Sequence, residues 1–144
     1  MKSIVLKSPQ ETLNLGEKIG FILKPNDILL LTGELGAGKT TFVQGIAKGL
    51  NVKDFVTSPS YSLINEYEGT YHLFHIDLYR LETLSQIEEL GITEYFLKDG
   101  VTIIEWAEKM ENLLPKNGIR IKIEYAGENK RKIWLPLEFQ ALIK

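Results

Sequence analysis

Between a run of four aliphatic residues, Ile28 to Leu31, and an amphipathic stretch beginning at Lys39 lies the segment Gly33-Glu34-Leu35-Gly36-Ala37-Gly38-Lys39-Thr40, in the pattern G-x-x-x-x-G-K-T. This pattern demands a strand, a tight glycine-rich turn and a helix, in that order. A short continuous apolar run marks a strand buried on both faces of a parallel sheet. Beyond the turn, Phe42, Val43, Ile46, Ala47 and Leu50 recur at helical spacing, and Gly49 is the expected terminator. Glycines let successive backbone N–H groups point inward at phosphate oxygens, and the helix N-terminus adds partial positive charge. Lys39 is expected to reach the β- and γ-phosphates and Thr40 to offer its hydroxyl to Mg²⁺, with Thr41 in the same nucleotide-binding stretch.

At 144 residues the chain has room for one full hydrophobic core, and a single domain over residues 1–144 is expected. A net charge of -2 argues against a surface built mainly to hold nucleic acid. There are no cysteines and only two histidines, which excludes disulfide frameworks and thiolate metal sites. The apolar N-terminal stretch is far shorter than a signal-peptide core, and the aliphatic runs are too short to span a bilayer, so cytoplasmic residence is the expectation.

Along the chain, Ile4 to Leu6 read as a strand, and Ser8-Pro9-Gln10-Glu11 as a capping box with proline at the first helical position. Gly16 and Gly20 make the helix that follows read as irregular, with Leu15, Ile19 and Ile22 as its apolar face. Tyr61 to Tyr67 and Tyr71 to Leu78 are β-like runs joined by Glu68-Gly69-Thr70, a predicted antiparallel hairpin. Thr83-Leu84-Ser85-Gln86 opens a helix expected to stop at Gly91, and a short helix is expected over Thr93 to Leu97. Val101 to Ile104 is another buried-strand candidate. Ile119, Ile121, Ile123 and Tyr125 alternate with charged residues, and a turn at Gly127 leads to a partner strand carrying Ile133, Leu135 and Leu137. The predicted fold is α/β: a P-loop NTPase domain with a mixed, centrally parallel sheet, flanking helices and antiparallel hairpins.

A phosphate loop needs an acidic residue at the end of a neighbouring strand to hold Mg²⁺, and often a second polar group to orient the nucleophile. Asp77 and Glu105 both end apolar runs. Thr57-Ser58-Pro59-Ser60 lies where such proteins place loops that sense the γ-phosphate, although a simple hydroxyl turn fixed by Pro59 reads equally well. His72 and His75, three apart in a strand, face opposite sides and read as packing or hydrogen-bonding residues. Lys130-Arg131-Lys132 reads first as a solvated turn. For the adenine, contacts from the helix start near Glu11 and Thr12 or from Arg131 are the expectations.

Gly33 to Thr40, Thr57-Ser58-Pro59-Ser60-Tyr61, His75-Ile76-Asp77-Leu78-Tyr79-Arg80 and Ile104-Glu105-Trp106 together resemble the signature of the TsaE family. These are small bacterial P-loop ATPases needed to make threonylcarbamoyladenosine in tRNA. The resemblance spans nearly the whole chain. It implies Lys39 and the surrounding backbone on ATP or ADP phosphates, Thr40 and Glu105 at Mg²⁺, and Asp77 in hydrolysis. It also implies a switch-like loop at Thr57, Ser58, Pro59 and Ser60, with Trp106 beside the nucleotide. The family often carries threonine where Ser60 stands, so the hydroxyl is retained. Implied partners are TsaB and TsaD, with TsaD transferring to tRNA and ATP hydrolysis resetting the complex, so that tRNA is met only through that assembly. The isolated chain is expected to be a monomer with slow turnover.

Two other readings share the loop. A small-molecule kinase needs an acceptor pocket and an arginine-bearing lid, and no segment reads as a lid; the three arginines are Arg80, Arg120 and Arg131. A binding module that uses nucleotide without essential turnover stays open. A GTPase is disfavoured, since Asn129-Lys130-Arg131-Lys132 lacks the aspartate of N-K-x-D that pairs with guanine.

Overall fold

The computed structural model describes residues 2–34, 38–59 and 62–143. Its strands are β1 (Lys2–Leu6), β2 (Ile28–Thr32), β3 (Ile64–Tyr67), β4 (Leu73–Asp77), β5 (Val101–Glu105), β6 (Ile119–Tyr125) and β7 (Arg131–Leu135). They form one sheet in the order β1-β7-β6-β2-β5-β4-β3. The four central strands β6, β2, β5 and β4 are parallel, while β3, β7 and β1 join antiparallel at the two sides. The helices are α1 (Pro9–Ile22), α2 (Lys39–Gly49), α3 (Leu84–Glu89) and α4 (Ile92–Tyr95), with 3-10 stretches at Ala107–Leu113 and Leu137–Ile143.

The unbroken apolar run of β2 follows from burial on both faces. Leu29 and Leu31 join the core beneath α1 and α2, with Leu15, Ile19, Phe42, Val43 and Ile46. Ile28 and Leu30 point the other way, into a second core with Ile76, Ile104, Ile87, Ile92 and Met110. Both predicted N-caps form, but only the second as a complete box. Ser8 Oγ accepts from Glu11 N at 3.1 Å, although the Glu11 carboxylate reaches back to Lys7 N and not to the cap itself. In α3 both arms of the Thr83–Gln86 box form at 3.2 Å.

Two expectations fail for one reason. The helix expected to be irregular is continuous from Pro9 to Ile22, and Gly49 is the last residue of α2, not its terminator; the left-handed residue beyond that end is Asn51. Gly16-x-x-x-Gly20 and Gly45-x-x-x-Gly49 face one another across the α1–α2 contact. A Cβ on Gly20 would lie 2.2 Å from the Ile46 carbonyl oxygen, and one on Gly45 2.3 Å from that of Leu13. These glycines let two backbones approach closely, which is worth more than the helix propensity they forgo. Smaller corrections follow from packing. Ile22 is exposed and Leu23 takes the buried place; Leu137 leaves β7 and begins a 3-10 stretch after Pro136, whose fixed φ and missing N–H end the pairing. The first hairpin strand is seen only from Ile64, its partner is Leu73–Asp77, and the short fourth helix is Ile92–Tyr95.

Candidate functional site

Register brings the site together at the C-terminal ends of the central strands. Asp77 of β4 lies opposite Glu105 of β5, and Glu105 lies opposite Leu31 of β2. Side chains alternate along a strand, so both carboxylates point to the sheet face covered by α2, whose first residue is Lys39. Both are buried, at 4% and 3% exposure, in surroundings where an acid without a purpose is costly.

Gly33 follows β2, and a Cβ there would sit 2.2 Å from the Ile123 carbonyl oxygen of β6, so the strand can leave the sheet at this point only as glycine. Gly38, at φ 90°, caps the N-terminus of α2 in a conformation other residues adopt at a cost. Leu35, Gly36 and Ala37, expected to cradle phosphates, lie outside the described residues, as do Ser60 and Tyr61. Glu34 is exposed, and its carboxylate accepts from Tyr125 N at 3.4 Å. Thr40 and Thr41 are half-buried on the first turn of α2.

Lys39 as a residue is buried, with its ammonium partly so. The ammonium donates to the Gly33 carbonyl oxygen at 2.6 Å and lies 3.9 Å from the centre of the Trp106 ring. Burial lowers its pKa from the ordinary 10.5, against the opposing pull of Glu105, Glu108 and Asp77. Trp106 itself sits at φ 59°, a left-handed turn costing of the order of 1–3 kcal/mol for a bulky residue. That turn folds the ring from the end of β5 over Lys39. Tyr79 packs against Trp106, with ring centres 5.1 Å apart, and Lys109 ties down the Tyr79 and Leu81 carbonyls at 2.5 and 2.9 Å.

One Asp77 oxygen accepts from Tyr79 N at 2.9 Å. Glu105 Oε2 lies 2.5 Å from His75 Nε2, a partner that sequence reasoning missed although its signal was there: His75 stands two residues before Asp77, hence on the same face. Thr57 and Ser58 are exposed and Pro59 is buried; Gln44 of α2 holds the preceding Val56 carbonyl at 2.9 Å. On the opposite side of α2's N-terminus, Pro9, Thr12, Gly38, Thr41, Asn129 and Arg131 line a small pocket. Arg131 Nε is buried beside it with no hydrogen-bond partner among the described residues. The sequence-predicted residues therefore fall into two sets, acids and Trp106 on one flank of the loop and Thr12, Thr41 and Arg131 on the other.

The donors fit magnesium. Thr40, Glu105 and Asp77 offer only hard oxygens. Magnesium commonly takes one or two protein ligands and completes its shell with phosphates and water.

Comparison with known proteins agrees over almost the whole chain. Residues 6–133 match the family described as threonylcarbamoyl adenosine biosynthesis protein TsaE. The tRNA threonylcarbamoyladenosine biosynthesis protein TsaE of Bacillus subtilis is 43% identical, with 88% of this chain and 79% of that protein aligned. Its counterpart from Aquifex aeolicus is 40% identical, over 92% of this chain and 94% of that protein. Among solved structures, the crystal structure of Bacillus subtilis YdiB superposes with a TM-score of 0.80 at 34% identity, covering 99% of this chain and 90% of that one.

Proposed function

The chain belongs to the TsaE family of tRNA threonylcarbamoyladenosine biosynthesis proteins, and from that premise we propose how its residues divide the work. It is a P-loop ATPase that supports this tRNA modification together with a TsaB/TsaD-type complex. The observation that carries the assignment of roles is the pairing of Asp77 with Glu105 at adjacent strand ends, beside the strand that feeds Lys39.

In this reading the phosphates sit against the N-terminus of α2, where Gly38, Thr40 and Thr41 present backbone and hydroxyl groups. Lys39 exchanges its bond to the Gly33 carbonyl for oxygens of the β- and γ-phosphates. Thr40 and Glu105 would hold Mg²⁺, which when bound would neutralise charge on the phosphoryl group being transferred. Asp77 orients the attacking water and accepts its proton as the water oxygen bonds to the γ-phosphorus and the bond to the β–γ bridging oxygen breaks, releasing ADP and phosphate. Trp106 screens Lys39 from solvent on one side. The base end lies toward Thr12 and Arg131, and Thr57, Ser58 and Pro59 follow the γ-phosphate, with Ser60 in the same segment.

Hydrolysis then resets a TsaB–TsaD assembly between rounds, TsaD performing the transfer to tRNA. No described helix is long and apolar enough to cross a membrane. The test is ATP hydrolysis by the chain alone and with purified TsaB, TsaD and tRNA. Partners should accelerate a slow basal rate, and Asp77→Ala should lower the stimulated rate about 100-fold or more. An Asp77→Ala protein hydrolysing at the wild-type rate in the full complex removes Asp77 from the mechanism.

A further inference from the structure

We propose that His75 is a positioning residue that fixes the Glu105 carboxylate for the metal; this rests on the reading of Glu105 as a magnesium-facing group. His75 is completely buried at the centre of β4, and its Nε2 lies 2.5 Å from Glu105 Oε2 across the β4–β5 pair. An ionised carboxylate only accepts, so Nε2 donates the hydrogen of this bond. Nδ1 has no hydrogen-bond partner among the described residues. The ring is therefore anchored through a single polar contact, and that contact is the carboxylate.

A glutamate side chain has three rotatable bonds and loses considerable freedom when held in one place. Near a strand end, with Lys39 close by, Glu105 has other ways to satisfy its charge, a direct pairing with the ammonium among them. The hydrogen bond from His75 holds Oε2 on the β4 side and leaves the other carboxylate oxygen, Oε1, for a second partner. Among the described residues the Glu105 carboxylate accepts no other hydrogen bond. Carboxylates that hold metals are commonly fixed in this way by a group behind them, and losing that group typically weakens metal binding 10–100-fold.

A purely structural histidine would change thermal stability and leave metal affinity alone, so the test reads both. Mn²⁺, followed by the paramagnetic resonance of the free ion, is titrated into the protein–ADP complex of wild type, His75→Gln, His75→Asn, His75→Leu and Glu105→Gln. ADP binding in EDTA and the melting temperature are recorded beside it. Glutamine keeps an N–H donor within reach of Glu105, whereas asparagine is too short and leucine has none. Expected are a loss of Mn²⁺ affinity of about 10–100-fold in the asparagine and leucine proteins, near wild-type affinity in the glutamine protein, and ADP binding in EDTA unchanged in all three. If leucine prevents folding, asparagine carries the comparison. Wild-type Mn²⁺ affinity in a folded asparagine or leucine protein, with Glu105→Gln impaired, overturns the role of His75; so does a glutamine protein as weak as the others. Wild-type affinity in Glu105→Gln refutes the reading of Glu105 itself, whatever the His75 variants do.

Discussion

Replacing Gly20 by alanine tests whether close backbone contact between α1 and α2 sets the position of the phosphate-binding helix. The added Cβ would stand 2.2 Å from the Ile46 carbonyl oxygen, where an ordinary contact begins at 3.4 Å, a shortfall of 1.2 Å. Neither side can give cheaply, because the obstacle is backbone and Phe42, Val43 and Ile46 on the same helix are completely buried. Overpacking of this kind typically costs about 1–3 kcal/mol, and a rigid obstacle places this site at the upper end. Alanine recovers about 1 kcal/mol of helix propensity. The net is a loss of about 2 kcal/mol, or roughly 4–8 °C in melting temperature for a chain of this size. Calorimetric melting without nucleotide measures it. Because α2 begins with Lys39 and Thr40, a shift of about 1 Å should also weaken ADP binding, since such misplacements are costly in phosphate sites. A melting temperature equal to or above wild type would refute the reasoning, for that is the outcome expected of a helical glycine facing open space.

Lys39 and Arg131 give two further tests. Burial lowers the Lys39 pKa, so between that lowered value and 10.5 the unfolded chain binds more protons than the native one, and native stability gains as pH rises through this window. Bound phosphates favour the ammonium and must draw in a proton over the same window, so ADP affinity should fall there more steeply than in Lys39→Arg; parallel pH profiles by titration calorimetry would contradict this. Arg131→Ala should weaken ADP binding about tenfold or more, as expected for a lost charged hydrogen bond, while the rate at saturating ATP stays near wild type; an unchanged KM would place the base elsewhere.

Local patterns carried most of the fold. The strand and helix that flank the phosphate loop, the Ser8 and Thr83 N-caps and the alternation of Ile119, Ile121 and Ile123 are each written within a few residues, and each reappears in the structure. What a local pattern could not carry was any relation between elements distant in the chain. Gly16 and Gly20 look like helix defects until Gly45 and Gly49 are seen opposite them. His75 reads as a packing or hydrogen-bonding residue with no partner named until β5 brings Glu105 beside it. The strand-end positions of Asp77 and Glu105 were legible because each closes an apolar run; the side chains packed beside them were not, because only sheet order and register specify them.

Sheet order also explains why the two flanks of the site should fail differently. After β2 and α2 the chain crosses to one side to form β3, β4 and β5, then returns to lay β6 on the other side of β2. Such a reversal opens a crevice at the carboxyl ends of the parallel strands, where nucleotides bind in open α/β sheets. Here the first excursion contributes Asp77, Glu105 and, just beyond β5, Trp106. The return contributes the β6–β7 turn, which brings Asn129 and Arg131 against Thr12 and Thr41. In the proposed reading, a triphosphate lying across the N-terminus of α2 would meet acids at one end and a guanidinium at the other. The carboxylate end suits the metal-bearing γ-phosphate, since a carboxylate beside phosphate is tolerable only with a cation between them. The arginine end, free of carboxylates in its pocket lining, suits the rest of the nucleotide. Substitutions on the β4–β5 flank should accordingly alter metal dependence and maximal rate, and those on the β7 flank the affinity for ADP.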